Sequence, residues 1–168
     1  MCSIHILHGV SRKENQSMKL ATALSERADI QRRLSELQGR LNNNAKVQEG
    51  EEPAEDPKAL LKELDTLLTR LEWLIARINL TNSTVRYEGK TVTELLAHRD
   101  CLSKRLNVMR AFLDSASAKI DRYSQKEIRI LSTVKVSTLQ KQVDDVSKEL
   151  RELDEQIQAL NWTTELQE

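Results

Sequence analysis

Apolar residues recur along most of this chain in alternating steps of four and three, the spacing that lays side chains along one face of an α-helix. The clearest stretch runs from Asp56 to Asn79, DPKALLKELDTLLTRLEWLIARIN, where Leu60, Leu64, Leu67, Leu71, Leu74 and Ile78 keep that rhythm unbroken. Leu61, Leu68 and Ile75 widen the stripe on one side. A face that broad suits a helix with several neighbours better than the narrow seam of a two-stranded coil. The start is written as well, because Asp56 can cap the first free amides and Pro57 stands where a missing N–H costs nothing.

Three further stretches carry the same period. Leu20, Ala23, Arg27, Ile30, Leu34, Leu37 and Leu41 predict a first helix from about Met18 to Leu41, with the Arg27 stem lying along its apolar neighbours and its head lifted to the edge. Asn42-Asn43-Asn44 should stop it, since Asn tolerates the backbone that closes helix ends. The connection AKVQEGEEPAED is long for a helix pair, so it is either a solvated acidic turn or the first place to look for a site. Beyond the second helix, Val85-Arg86-Tyr87, Glu88-Gly89 and Lys90-Thr91-Val92 read as a tight hairpin, and Thr91 with Glu94 forms a capping box for a third helix. Leu95, Arg99, Leu102, Leu106, Met109, Leu113 and Ala116 line that helix. Between Glu127 and Val136 the period shifts toward two, with Ile128, Ile130, Val134 and Val136 suggesting one or two short strands. Ser137 with Gln140 makes a second capping box, opening a last helix seamed by Leu139, Val143, Val146, Leu150, Leu153, Ile157 and Leu160.

Four such helices in series predict an all-α protein, an antiparallel up-down-up-down four-helix bundle with long coiled-coil-like helices and short β elements at the loop ends. Residues 1–17 read as a leader, disordered or extended, and 18–168 as a single helical domain. The 42–56 loop and the 117–137 segment should share one end, with the hairpin at 80–91 beside the tail at the other. The heptads equally permit two long helical hairpins that complete their bundle with another chain.

Composition narrows the function classes. Of 168 residues, 39% are hydrophobic, 31% charged and only 3% aromatic, as expected of long aliphatic helix seams. Lys plus Arg equals Asp plus Glu at 26 each, leaving no overall field for nucleic acid. Two cysteines, Cys2 and Cys101, make no disulfide framework, and a reducing cytoplasm is the simplest setting. The N-terminus lacks the basic region and cleavage site of a signal peptide, and no apolar run is long enough to span a bilayer.

Candidate chemistry is sparse. His98 and Cys101 share a helix face but find no further ligands nearby, and Glu94 with His98 has the wrong spacing for a di-iron motif. No phosphate loop or nucleophile elbow is present, so no catalytic residue, metal or cofactor is expected. Asn43, Gln48 and Glu49 of one connection could meet Arg122 and Tyr123 of the other, either to hold a small polar ligand or partner or only to tie the loops together. Trp73 falls off the main stripe of its helix and reads as a flank or subunit contact.

Taken together, Met18-Lys19-Leu20-Ala21, Asn42-Asn43-Asn44-Ala45-Lys46-Val47-Gln48-Glu49-Gly50, Pro53-Ala54-Glu55-Asp56-Pro57, Asp121-Arg122-Tyr123-Ser124 and Leu160-Asn161-Trp162-Thr163-Thr164-Glu165-Leu166 resemble the small bacterial helical proteins described as septicolysin-like. The resemblance implies a start at Met18 and, by its name, an oxygen-labile cytolysin with no mechanism attached to any residue. The residues themselves favour a non-enzymatic cytoplasmic protein that acts by self-association, as a homo-oligomer, or by binding a protein partner. A membrane-active cytolysin and a small-ligand binder at the loop end are the alternatives.

Overall fold

The computed structural model describes residues 17–118 and 131–167. Four helices account for nearly all of it: α1 (Leu20–Asn43), α2 (Pro57–Thr84), α3 (Val92–Ser117) and α4 (Val136–Thr163), with a two-stranded hairpin, β1 (Arg86–Tyr87) and β2 (Lys90–Thr91), between α2 and α3. The chain is thus an all-α helical bundle with one small β element. Leader residues 1–16, including Ile4, Ile6, Leu7 and Val10, lie outside the described residues, as do Arg122, Tyr123, Ile128 and Ile130.

Local chemistry sets most boundaries. The Asp56 carboxylate accepts the Lys58 amide at 3.0 Å with Pro57 behind it, as the sequence predicts. At the hairpin, Glu88 (φ 49°) and Gly89 (φ 84°) both take left-handed backbone, the conformation that matches a two-residue turn to the twist of its strands. The capping box at α3 is complete: the Glu94 amide donates to Thr91 Oγ1 at 3.2 Å and the Thr91 amide donates to Glu94 Oε2 at 2.6 Å.

Two expectations fail around the start of α4. Val134 lies in a bend and Val136 is already helical, so neither joins a strand. The N-cap is Lys135, which makes no side-chain cap, and Ser137 falls inside the first turn. Val134 and Val136 are half-buried against the α3/α4 core. Their burial carries the helix start upstream of the polar signal, a case of packing overriding propensity.

The core is divided between two helical hairpins. Leu20, Ala23, Ile30 and Leu37 of α1 interlock with Leu60, Leu67, Leu74 and Ile78 of α2, while Leu95, Leu102, Leu106 and Leu113 of α3 pack on Leu139, Val143, Val146, Leu153 and Ile157 of α4. The two meet at a junction made by the hairpin and the C-terminal tail. There the Leu20 amide donates to the Thr164 carbonyl at 2.9 Å, the Leu166 amide to the Met18 carbonyl at 2.7 Å, and the Gln167 amide to Thr81 Oγ1 at 2.9 Å. Leu166 itself is buried in the α1/α2 core. The tail of the second hairpin therefore plugs the base of the first, beside the β element as expected.

Candidate functional site

Helix α2 carries two overlapping apolar seams. The inner one, Leu60, Leu67, Leu74, Ile78 and Thr81, is buried. A second set, Leu61, Leu68 and Ile75, stands one residue beyond it and remains 50%, 46% and 40% exposed. Leu64 and Leu71 lie between the two and are half-buried against the α1/α2 core. The breadth of this stripe fits a helix with neighbours on two sides, yet α1 alone lies along its length among the described residues. Phe112, Val108 and Cys101 form a shorter exposed row on α3.

The opposite flank of α2 is closed by charge and an aromatic ring. Arg70 donates to both oxygens of Glu26 on α1, at 2.7 and 2.8 Å, and its guanidinium sits 4.5 Å from the centre of the Trp73 ring. The fork lowers the Glu26 carboxyl below its ordinary range, chiefly through the hydrogen bonds from Arg70. Trp73 is half-buried against the hairpin core. The tryptophan that stands out in solvent is Trp162, at 69% exposure. A shallow groove of about 540 Å³ runs over Lys62, Asp65, Thr66, Thr69, Arg70 and Trp73, all from this one helix.

At the loop end the residues that matter are neighbours of those the sequence suggests. Asn43, Gln48 and Glu49 are exposed, and Arg122 and Tyr123 lie outside the described residues. The buried residue is Asn44, which donates from Nδ2 to the Arg40 carbonyl at 2.9 Å and accepts the Glu55 amide at 3.0 Å. Arg40 in turn donates to the Glu55 carboxylate and, at 3.1 Å, to Glu63 of α2. Hydrogen bonds from Arg40 hold the Glu55 carboxyl below its usual range. One amide side chain and one guanidinium thus bind the connection down onto both helices. A run of three asparagines marks the place but not which one turns inward.

On α3, His98 Nε2 lies 3.5 Å from Glu149 of α4, and Cys101 is exposed. A polar groove of about 240 Å³ beside them is lined by Tyr87, Lys90, His98, Glu149, Glu152 and Gln156, among others. Among the described residues no group of three or more His, Cys, Asp or Glu side chains converges to hold a metal ion. No helix there is long and apolar enough to cross a membrane.

These features define a double-hairpin helical protein that, among the described residues, leaves an apolar row open on one face of α2. The chain belongs to the family of unknown function DUF6847, whose model matches residues 27–166. A crystal structure of a functionally unknown conserved protein from Corynebacterium diphtheriae is similar at 44% identity, covering 90% of this chain and all of the other, with a TM-score of 0.80. Among curated proteins nothing matches. These findings overturn the septicolysin-like resemblance, since the matching family carries no such description and neither does the structural relative.

Proposed function

We propose that this chain is a non-enzymatic helical association protein of the cytoplasm, and that its binding surface is the outer seam of α2. The observation that carries this reading is the exposure of Leu61, Leu68 and Ile75 at heptad spacing on a helix whose inner seam is already filled. Scattered surface leucines are ordinary, but a continuous row rimmed by polar residues marks a contact surface. Its geometry is that of a helix awaiting a second helix, and knobs at this spacing fit the holes of a facing helix rather than a small ligand. The exposed, free Cys101 accords with a reducing compartment.

The test is sedimentation velocity of the full chain from about 1 to 300 µM, a range set by the micromolar affinities common for small interfaces, beside the double variant Leu61→Glu, Leu68→Glu. Concentration-dependent growth beyond one chain, lost in the variant while its melting temperature at low concentration is unchanged, supports the reading. A wild-type chain that stays single while the variant melts lower would make these leucines packing residues and refute it.

A further inference from the structure

Resting on that reading, we infer that the occupant of the outer α2 seam is the same seam of a second copy, running antiparallel and related by a two-fold axis between residues 69 and 70. Leu64, Leu68, Leu71 and Ile75 are spaced four, three and four. That interval reads the same in both directions. An inverted copy therefore sets Leu64 against Ile75 and Leu68 against Leu71, and the two-fold repeats both layers. A surface that matches its own inverse is what an isologous contact requires.

The area suits a weak, reversible pair. From Leu61 to Ile75 the seam is about 21 Å long at 1.5 Å per residue. Two helices in contact over that length bury on the order of 800–1,000 Å² in all, at the small end for specific association. The exposed halves of Leu61, Leu68 and Ile75 supply its apolar centre. The result is a four-helix bundle built from the α1/α2 hairpins of two chains, with a dissociation constant on the order of micromolar. The α3/α4 hairpins, which hold their own cores, project from it.

Charge at the rim gives this pairing a signature. Inversion brings Asp65 of each copy near Glu72 of the other, and both side chains stand on the exposed side of α2. Like charges oppose one another there, so added salt should tighten the dimer by screening them, whereas an assembly held by ion pairs loosens. Asp65→Lys converts both repulsions into attractions and should tighten association about three- to tenfold at low salt. A parallel pairing, which does not bring Asp65 to Glu72, gains nothing from this change.

The register is read by distances between spin labels, in the full chain with both native cysteines replaced by serine. A label at Lys58 should meet its mate at about 35 Å, because Lys58 lies beside Thr81 of the copy, whereas labels at Thr69 should lie within about 15 Å of each other. Short distances at both positions would mean a parallel pair. Long distances at both, in a chain that still associates, would place the contact on another face. Either result overturns the antiparallel seam and leaves the association reading standing. A chain that remains single at every concentration removes both, and association unaffected by Asp65→Lys and by salt also counts against this register.

Discussion

Asn44 offers the sharpest test of how the loop end is held. It is 8% exposed and makes one hydrogen bond in each direction, to the Arg40 carbonyl at the end of α1 and from the Glu55 amide across the connection. Asn44→Ala deletes both, but the Arg40 carbonyl keeps the backbone amide of residue 44, which donates to it at 3.2 Å, so only the Glu55 amide is left without a partner. One orphaned group costs about 1–2 kcal/mol. Some recovery by entering solvent brings the expected loss to about 1 kcal/mol. Asn44→Asp keeps the acceptor for the Glu55 amide but sets a carboxylate against the Arg40 carbonyl, at the negative end of the α1 dipole and close to the Glu55 carboxylate. It should therefore be no better than alanine, although it is nearly isosteric. Asn43→Ala, one residue away and exposed, should change stability by less than about 0.5 kcal/mol. Urea unfolding followed by circular dichroism reads all three, with a midpoint shift of roughly 0.5 M for Asn44→Ala at an m-value of about 2 kcal/mol/M. Equal effects at Asn43 and Asn44, or an Asn44→Asp chain as stable as wild type, would refute the two-way tie.

Two more outcomes follow from the packing and the charge pairs. Leu166→Ala removes a buried side chain from the base of the α1/α2 core and should cost about 2–4 kcal/mol; because Leu166 is supplied by the second hairpin's tail, hydrogen exchange should rise first in α1 and α2, and equal loss of protection in α3 and α4 would contradict this. Glu26, Glu55, Glu94 and Glu165 all have carboxyls lowered from their ordinary range, by hydrogen bonds from Arg70, from Arg40, from the Thr91 amide, and from Ser17 with Lys19 respectively. A depressed folded-state value contributes stability that is full above the unfolded value of about 4.3 and is lost as pH falls through the folded one. The melting temperature should thus hold from pH 7 to about 5 and drop below about pH 4, with a shallower acid limb in Glu26→Gln. An acid limb unaltered by that change would mean the Arg70 fork contributes nothing.

The helices were legible because their information is local. Heptad spacing, the Asp56-Pro57 start, the Thr91/Glu94 box and the Glu88-Gly89 turn each act within a few residues, and all four form as the sequence predicts. The failures share a different origin. Ser137 and Gln140 have the letters of a capping box, but Val134 and Val136 gain burial that a local rule does not count. Among Asn42, Asn43 and Asn44, the inward residue is decided by where the Glu55 amide arrives from the far side of the connection. The rotation of α2 about its axis is likewise set by what α1 can cover: a single neighbour closes the Leu60–Leu67–Leu74 line and half of Leu64 and Leu71, and then has no surface left for Leu61, Leu68 and Ile75.

That geometric shortfall makes the breadth of an apolar stripe informative about assembly. One facing helix covers a seam two positions wide in every seven, and α2 presents three. Helix α4 keeps to a single seam, Leu139 through Ile157, and α3 has only the short row at Val108 and Phe112 beside its own. Three leucine-class side chains about half exposed forgo on the order of 5 kcal/mol of burial, at 25 cal/mol per Å² over roughly 70–100 Å² each. A chain free of constraint on that face would be more soluble with polar residues there, at no loss to its own core. Among the described residues nothing covers that excess width, and on this the proposed association rests. The row of three on α2 is longer than the one on α3, so the proposed contact lies on the first hairpin, away from the groove beside His98 and away from the loop end held by Asn44.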